Sequence, residues 1–154
     1  MSDNYKDLYS IADSFKKMSQ KIKLITLITK SKKEYDSYDY ANALITLTKA
    51  YELDAKNPAI LRGLGCLKQF EKKYDEALSY YKEALNYSRS KDVEYTLMGM
   101  VYYFQEKFDD AINCFNNAII INDDNEIAYD TRNQAILEQH LKMLDLQDIL
   151  KKYF

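Results

Sequence analysis

The stretch that decides the fold runs from Asp92 to Asn125 and reads DVEYTLMGMVYYFQEKFDDAINCFNNAIIINDDN. Its apolar residues recur at intervals of three and four, which predicts two amphipathic helices in succession. The preceding stretch of equal length, 58–91, follows the same pattern in the same register. A constant period of this kind indicates one unit of two helices that is repeated along the chain.

Three pairs of alanines mark the repeat. The spacing within a pair is seven, and the step from one pair to the next is 34 both times. A leucine or an aromatic lies between the two alanines, and an aromatic lies three positions before the first. We predict that the alanines let two helices approach closely while the large side chains fill the space beside them. The alanines are Ala43 and Ala50, Ala77 and Ala84, and Ala111 and Ala118, with Leu47, Tyr81 and Phe115 between them and Tyr40, Tyr74 and Phe108 before them.

Two glycines within predicted helices repeat with the same period. The dipeptides Leu64-Gly65 and Met98-Gly99 are one full repeat apart. Glycine inside a helix costs about 1 kcal/mol relative to alanine. Its presence at equivalent positions therefore predicts close contact with the second helix of the same unit.

In these residues the chain resembles the tetratricopeptide repeat (TPR) family. The match is best over 92–125 and good over 58–91, while 24–57 keeps the second-helix residues and departs in its first helix, where Lys30 and Ser31 replace the Leu-Gly pair. The resemblance implies an all-α fold, a right-handed α-solenoid of three helix pairs at 24–57, 58–91 and 92–125. We expect one domain that spans 1–154.

The sequence of residues 1–23 predicts an N-terminal helix. Its apolar residues are spaced as in a coiled coil, and they are Leu8, Ile11, Phe15, Met18, Ile22 and Ile25. One helix as far as residue 37 fits the pattern, and so do two helices with a break near Ser19 and Gln20. The helix could pack on the first repeat, or it could be an arm that makes a homodimer or is swapped between copies.

After Asn125 the pattern restarts and then fails, since Arg132 and Asn133 replace the Leu-Gly pair. This predicts C-terminal capping helices over 126–154, which either cover the end of the solenoid or fold back into its groove or onto a partner. The apolar positions of the last helix are Leu141, Leu144, Leu146, Ile149, Leu150 and Tyr153.

Composition limits the function classes. The formal charge is −2, which gives no reason to expect binding to nucleic acid or to a membrane surface. No apolar run approaches the ~20 residues that span a bilayer, and the N-terminus lacks a signal-peptide core. The two cysteines, Cys66 and Cys114, fit free thiols in a reducing compartment, so we expect a cytoplasmic protein. The sequence contains no motif for catalysis, for a cofactor or for a metal, and His140 is the only histidine. We therefore expect that the protein is not an enzyme and that it binds no cofactor and no metal ion.

The family resemblance also implies where a ligand would bind. In TPR proteins the first helices of successive repeats line a concave groove. The corresponding positions here are Arg62, Cys66, Gln69, Phe70, Val93, Leu97, Met100, Tyr103, Phe104, Ile127 and Thr131. The third repeat contributes a run of apolar side chains, and exposed apolar patches commonly mark binding surfaces.

Some TPR proteins hold the acidic C-termini of Hsp70 and Hsp90 in a clamp of Lys, Asn and Arg side chains. The equivalent positions here are Ile28, Lys32, Gly63, Val93 and Leu97, or one repeat further on Arg62, Cys66, Leu97, Ile127 and Thr131. Neither set forms the clamp. We therefore expect a non-catalytic adaptor that binds an apolar peptide or helix of a protein partner. Two alternatives are a small TPR chaperone of the type III secretion class, which holds apolar segments of secreted proteins, and a structural subunit of a larger complex.

Overall fold

The computed structural model describes the backbone of residues 3–153 and the side chains of residues 8–145 and Lys152. These residues form helices and no strand, as the sequence predicted. The helices are α1 (Asp3–Asp36), α2 (Tyr40–Leu53), α3 (Pro58–Phe70), α4 (Tyr74–Tyr87), α5 (Lys91–Phe104), α6 (Phe108–Ile121) and α7 (Glu126–Tyr153). Each helix packs chiefly on its neighbours in the chain, so the predicted solenoid of helix pairs is confirmed.

Both terminal segments are single helices. α1 is one continuous helix of 34 residues without a break near Ser19, and its last turns are the first helix of the first pair. At the other end, 28 residues form α7, where the sequence predicted several capping helices. Leu141 and Leu144 of α7 are exposed, and the side chains of Leu146, Ile149, Leu150 and Tyr153 lie outside the described residues.

The same turn joins the two helices of every pair. Its central residue adopts a left-handed backbone conformation at Tyr38 (φ 62), Lys72 (φ 59) and Glu106 (φ 59), which hold the same position in successive repeats. The N–H of the next residue donates at 2.9 Å to a carbonyl five positions earlier, in the pairs Asp39 to Glu34, Lys73 to Lys68 and Lys107 to Tyr102. A left-handed conformation usually favours glycine, and none of these three residues is a glycine. The turn was therefore not predicted from the sequence.

The core is a row of three apolar clusters, each built from consecutive helices. All six repeat alanines are fully buried, as predicted. Tyr81 and Phe115 are fully buried between them. A β-carbon at Gly65 would lie 2.4 Å from Cε1 of Tyr81, and one at Gly99 would lie 2.5 Å from Cε1 of Phe115. The predicted packing reason for both glycines is therefore confirmed.

Asn125 links α5 to the start of α7. Its Oδ1 accepts from the backbone N–H of Ala128 at 3.0 Å, which satisfies a free donor in the first turn of α7. Its Nδ2 donates to Oδ2 of Asp92 at 3.2 Å and to Oγ1 of Thr96 at 3.1 Å. Asp92 is only 7% exposed, so these hydrogen bonds compensate a carboxylate that water barely reaches.

Candidate functional site

A cavity of 470 Å³ opens between the first and third helix pairs; we call it the first cavity. Six of the predicted groove residues meet here, from α3 and α5. The lining residues are Tyr35, Cys66, Gln69, Phe70, Lys72, Tyr74, Leu97, Met100 and Phe104. Most of these side chains are apolar or aromatic, so the wall suits an apolar ligand.

A second cavity of 440 Å³ lies between α5 and the start of α7. It is lined by Asp92, Val93, Thr96, Leu97, Met100, Asn122, Asp124, Asn125, Glu126 and Ile127. Leu97 and Met100 line both cavities, because side chains at this spacing share one face of α5. The two cavities therefore form one trough, which we call the groove.

The groove changes character along its length. The α3 end is aromatic, and Phe70 stacks on Tyr40 with ring centroids 3.9 Å apart. The α7 end is polar, because Asp92 accepts there from the amides of Asn122 (3.0 Å) and Asn125 (3.2 Å). A ligand that follows the whole groove would meet an apolar stretch first and hydrogen-bonding groups at the α7 end.

Arg62 lies beside the groove and is already paired. Its Nη1 donates to Oε1 of Glu94 at 2.8 Å, and Glu94 is completely buried. Glu94 Oε2 has no hydrogen-bond partner among the described residues. Arg62 lines two further cavities, one of 570 Å³ with Val93 and one of 350 Å³ with Cys66. Because Glu94 neutralises most of its charge, Arg62 offers little attraction to an anionic ligand.

Cys66 contributes apolar surface to the groove wall. Burial raises the pKa of its thiol, and the Tyr81 hydroxyl lies 3.3 Å from its Sγ. The neutral thiol form is therefore favoured at neutral pH, whereas a nucleophile would need the thiolate. The Tyr81 hydroxyl also lies 3.1 Å from Oε1 of Gln69, to which it donates, and this contact fixes Gln69 at the cavity wall.

Besides Arg62, two more predicted groove residues, Tyr103 and Thr131, lie outside both cavities. The ring of Tyr103 packs edge-on against Phe104 and Phe108, at centroid distances of 5.9 and 5.8 Å, and contacts the third core cluster. Burial, and then the nearby Glu138 carboxylate, raise the pKa of Tyr103. Thr131 donates to the carbonyl of Ile127 within α7 at 2.6 Å.

The structure adds wall residues that sequence reasoning missed. Tyr35 holds the repeat position that Gln69 and Tyr103 hold one and two repeats later, so extending the repeat register into α1 would have found it. Lys72 comes from the turn after α3, Tyr74 is the first residue of α4, and Asp92, Asn122 and Asn125 come from the ends of helices. Tyr74 belongs to the repeated aromatics that the sequence analysis assigned to packing between helices. No periodic pattern marks the other positions, because they depend on how neighbouring turns converge.

The described part of the chain contains neither a cluster of metal ligands nor a membrane-spanning helix. Its residues contain no group of three or more His, Cys, Asp or Glu side chains that could hold a metal ion. None of its helices is both long and apolar enough to cross a membrane.

Comparison with known families adds the decisive observation. The family model for the tetratricopeptide repeat matches residues 63–91 and 95–125, in agreement with the register of the alanines and glycines. Residues 63–91 and 95–125 are tetratricopeptide repeats. A comparison of this TPR sequence with curated proteins found no significant match.

Solved structures of other proteins share the arrangement. The first TPR domain of human RPAP3 is 20% identical, with a TM-score of 0.71 over 78% of this chain and 94% of that one. The second TPR domain of human RPAP3, in complex with an HSP70 peptide, is 16% identical, with a TM-score of 0.66 over 75% and 97%. MamA is 21% identical, with a TM-score of 0.67 over 80% and 72%. At these identities the likeness concerns the fold.

Proposed function

We propose that this TPR chain is a non-catalytic interaction module whose groove binds an apolar peptide or helix of a protein partner. The observation that carries the proposal is the trough that Leu97 and Met100 make continuous. Phe70 and Phe104 stand at its edge, each with 57% of its surface exposed. Large aromatic side chains left uncovered beside a cavity are typical of a binding surface.

The side chains favour an apolar ligand over an acidic C-terminus. The family's clamp for acidic peptides requires polar or basic groups at positions that are held here by Ile28, Gly63 and Val93. The positive charge of Arg62 is balanced by its ion pair with Glu94. The HSP70 peptide that the second human RPAP3 domain binds is therefore not the ligand expected here. Met100 adds a flexible, polarisable side chain, which suits adaptable recognition of apolar segments.

The position of α7 supports an occupant from outside the chain. α7 packs chiefly along α6, held by Gln139 Nε2 at 2.6 Å from Asp109 Oδ1 and by an ion pair between Lys142 and Glu106. Among the side chains of α7 that the structure describes, only Glu126 and Ile127 line the groove. Among the described residues, no other side chain of α7 covers the apolar part of the groove, which supports a partner as the occupant.

Selection from a displayed library of random peptides, followed by affinity measurements, tests the proposal. We expect selected peptides to be apolar, and Phe104→Asp to weaken their binding by at least about tenfold, as for a central contact residue. Ile120→Asp is the matched control, because Ile120 is 82% exposed and lies outside the groove. Equal binding by wild type and Phe104→Asp, with the helical signal intact, would refute groove recognition.

We also propose self-association through α1. The observation is that its apolar stripe, Leu8, Ile11, Phe15, Met18, Ile22 and Ile25, is 52–64% exposed along a helix that extends past its own pair. A dimer with two apolar grooves suits the chaperone alternative as well as the adaptor. Sedimentation equilibrium tests it, since a molecular mass of 18.2 kDa at all concentrations would rule it out.

We propose a cytoplasmic location, because Cys66 and Cys114 are both free thiols and a reducing compartment keeps thiols in that state. A fluorescent fusion imaged in intact cells tests this, and signal confined to an oxidising compartment would contradict it.

A further inference from the structure

Helix α1 carries two apolar stripes on nearly opposite faces. The first, which we call the solenoid stripe, packs on the first core cluster and contains Leu24, Leu27, Ile28 and Tyr35. The second, the arm stripe, contains Leu8, Ile11, Phe15, Met18, Ile22 and Ile25. At about 100° per residue the centres of the two stripes lie roughly 150° apart around the helix. The arm stripe is therefore a separate face, and a helix laid on it would not collide with α2.

The arm stripe has no cover within the described chain. α1 has 34 residues and its partner α2 has 14, so about 20 residues of α1, roughly 30 Å, extend beyond the pair. A helix in water gains most of its stability from packing of its apolar face. An exposed face with strict three-and-four spacing from Leu8 to Ile25 fits a second helix of the same spacing.

We propose that the arms of two copies of this chain pair side by side in antiparallel orientation. The proposal rests on the self-association proposed above and specifies its orientation and register. Leu8 of one copy faces Ile25 of the second copy, Ile11 faces Ile22, and Phe15 faces Met18. The symmetry of the dimer repeats each contact, which gives six apolar layers along about 26 Å.

The shape of the arm favours this register. A cavity of 290 Å³ on the arm is lined by Ser10, Ile11, Ser14, Phe15 and Met18. Four of these, all but Ser10, are the positions that form the hole for a knob in a coiled coil. Antiparallel pairing puts an unbranched methionine in the hole beside the Phe15 ring, a favourable sulfur–aromatic contact. Parallel pairing would place two phenylalanine rings in the same layer.

The charges of the arm point the same way. Residues 8–15 carry one charged side chain, Asp13, and residues 16–25 carry four lysines, Lys16, Lys17, Lys21 and Lys23. Parallel arms would bring the lysine-rich halves of both copies together. Antiparallel arms separate the two halves and lay each beside the segment that contains Asp13.

Sedimentation equilibrium of the full chain over a wide concentration range tests the pairing of the arms. An interface of this length is at the small end of specific interfaces, so a concentration-dependent rise from 18.2 kDa to twice that mass is expected. Phe15→Glu should weaken the dimer by at least about tenfold, because it would bury a charge. Tyr9→Glu is the matched control; Tyr9 is 77% exposed on the same helix but off the stripe, so a change within about twofold is expected.

Cysteine cross-linking then tests the orientation. Leu8→Cys and Ile25→Cys chains of different tag size are mixed and mildly oxidised, with wild type as the control for Cys66 and Cys114. Antiparallel arms predict a disulfide between the two variants and none when Leu8→Cys is oxidised alone, since two copies of residue 8 would be about 26 Å apart. A disulfide in Leu8→Cys alone overturns the antiparallel register and leaves the dimer standing. A monomer at every concentration, or a dimer that Phe15→Glu does not weaken, overturns both.

Discussion

Replacing Gly99 with alanine tests the reasoning about how the helix pairs are packed. A β-carbon at residue 99 would lie 2.5, 2.7 and 2.9 Å from Cε1, Cδ1 and Cζ of Phe115. These distances are far below van der Waals contact, and the Phe115 ring is completely buried, so it has no free space to move into. The alanine would gain about 1 kcal/mol of helix propensity, but overpacking of this kind costs about 1–3 kcal/mol or more. Because three ring atoms are involved, we expect a net loss of about 1–2 kcal/mol.

Gly63→Ala is the matched control. It lies in the neighbouring helix α3, and its nearest neighbours are the terminal methyls of Leu47, at 2.9 and 3.1 Å. Gly63 and Leu47 both line an open cavity, so the leucine can change rotamer. The gain in helix propensity is then not cancelled by a clash. We expect the free energy of unfolding of Gly63→Ala to be unchanged or up to about 1 kcal/mol higher than that of wild type.

Urea unfolding followed by circular dichroism at the helical minimum measures both effects. In a chain of this size each kcal/mol also shifts Tm by about 2–4 °C. Combining Gly99→Ala with Phe115→Leu should cost less than the sum of the single changes, because the smaller side chain relieves the clash. The reasoning would be refuted if Gly99→Ala were as stable as Gly63→Ala, or if the double change were additive.

Two further predictions concern buried ionisable groups. Arg62→Ala should lower the free energy of unfolding by about 2–4 kcal/mol, because it leaves the buried Glu94 carboxylate without its cation; adding Glu94→Gln should recover part of that loss in urea unfolding, and full additivity would contradict the pairing. Burial raises the pKa of the Cys114 thiol from 9.0 to about 11, so the folded state holds this proton more tightly and stability is lost as the pH rises from 9 to 11. Between pH 9 and 11, the free energy of unfolding of Cys114→Ala should fall by about 2 kcal/mol less than that of wild type. If the two curves of unfolding free energy against pH were parallel, the raised pKa of Cys114 would be disproved.

The elements predicted correctly from the sequence are those with a local, repeated signal. The alanine pairs, Gly65 and Gly99 lie against a neighbouring helix of the same unit, where only a small residue fits. Small residues therefore recur with the period of the repeat. The direction of a first-helix residue follows from the same register, and six of the residues predicted for the groove line the first cavity.

The remaining features depend on contacts between residues far apart in sequence. Arg62 and Glu94 belong to different repeats, and neither neighbourhood indicates that the two will pair. Tyr103 has the repeat position of a groove residue, yet its ring packs edge-on against Phe108, because a long aromatic side chain follows the nearest apolar surface. The left-handed turn at Lys72 carries no glycine, since the helices on both sides hold the conformation.

The sequence by itself determined that this chain is a row of helix pairs, because a constant period with small residues at fixed positions permits close packing only in that form. The tertiary structure alone decided which apolar faces stay uncovered. In the sequence of α1, Leu8 and Ile11 look the same as Leu24 and Leu27, and both sets have helical spacing. The first two are exposed and the second two pack on the core, because burial depends on whether another helix lies opposite, and among the described residues such a helix lies opposite the second set only.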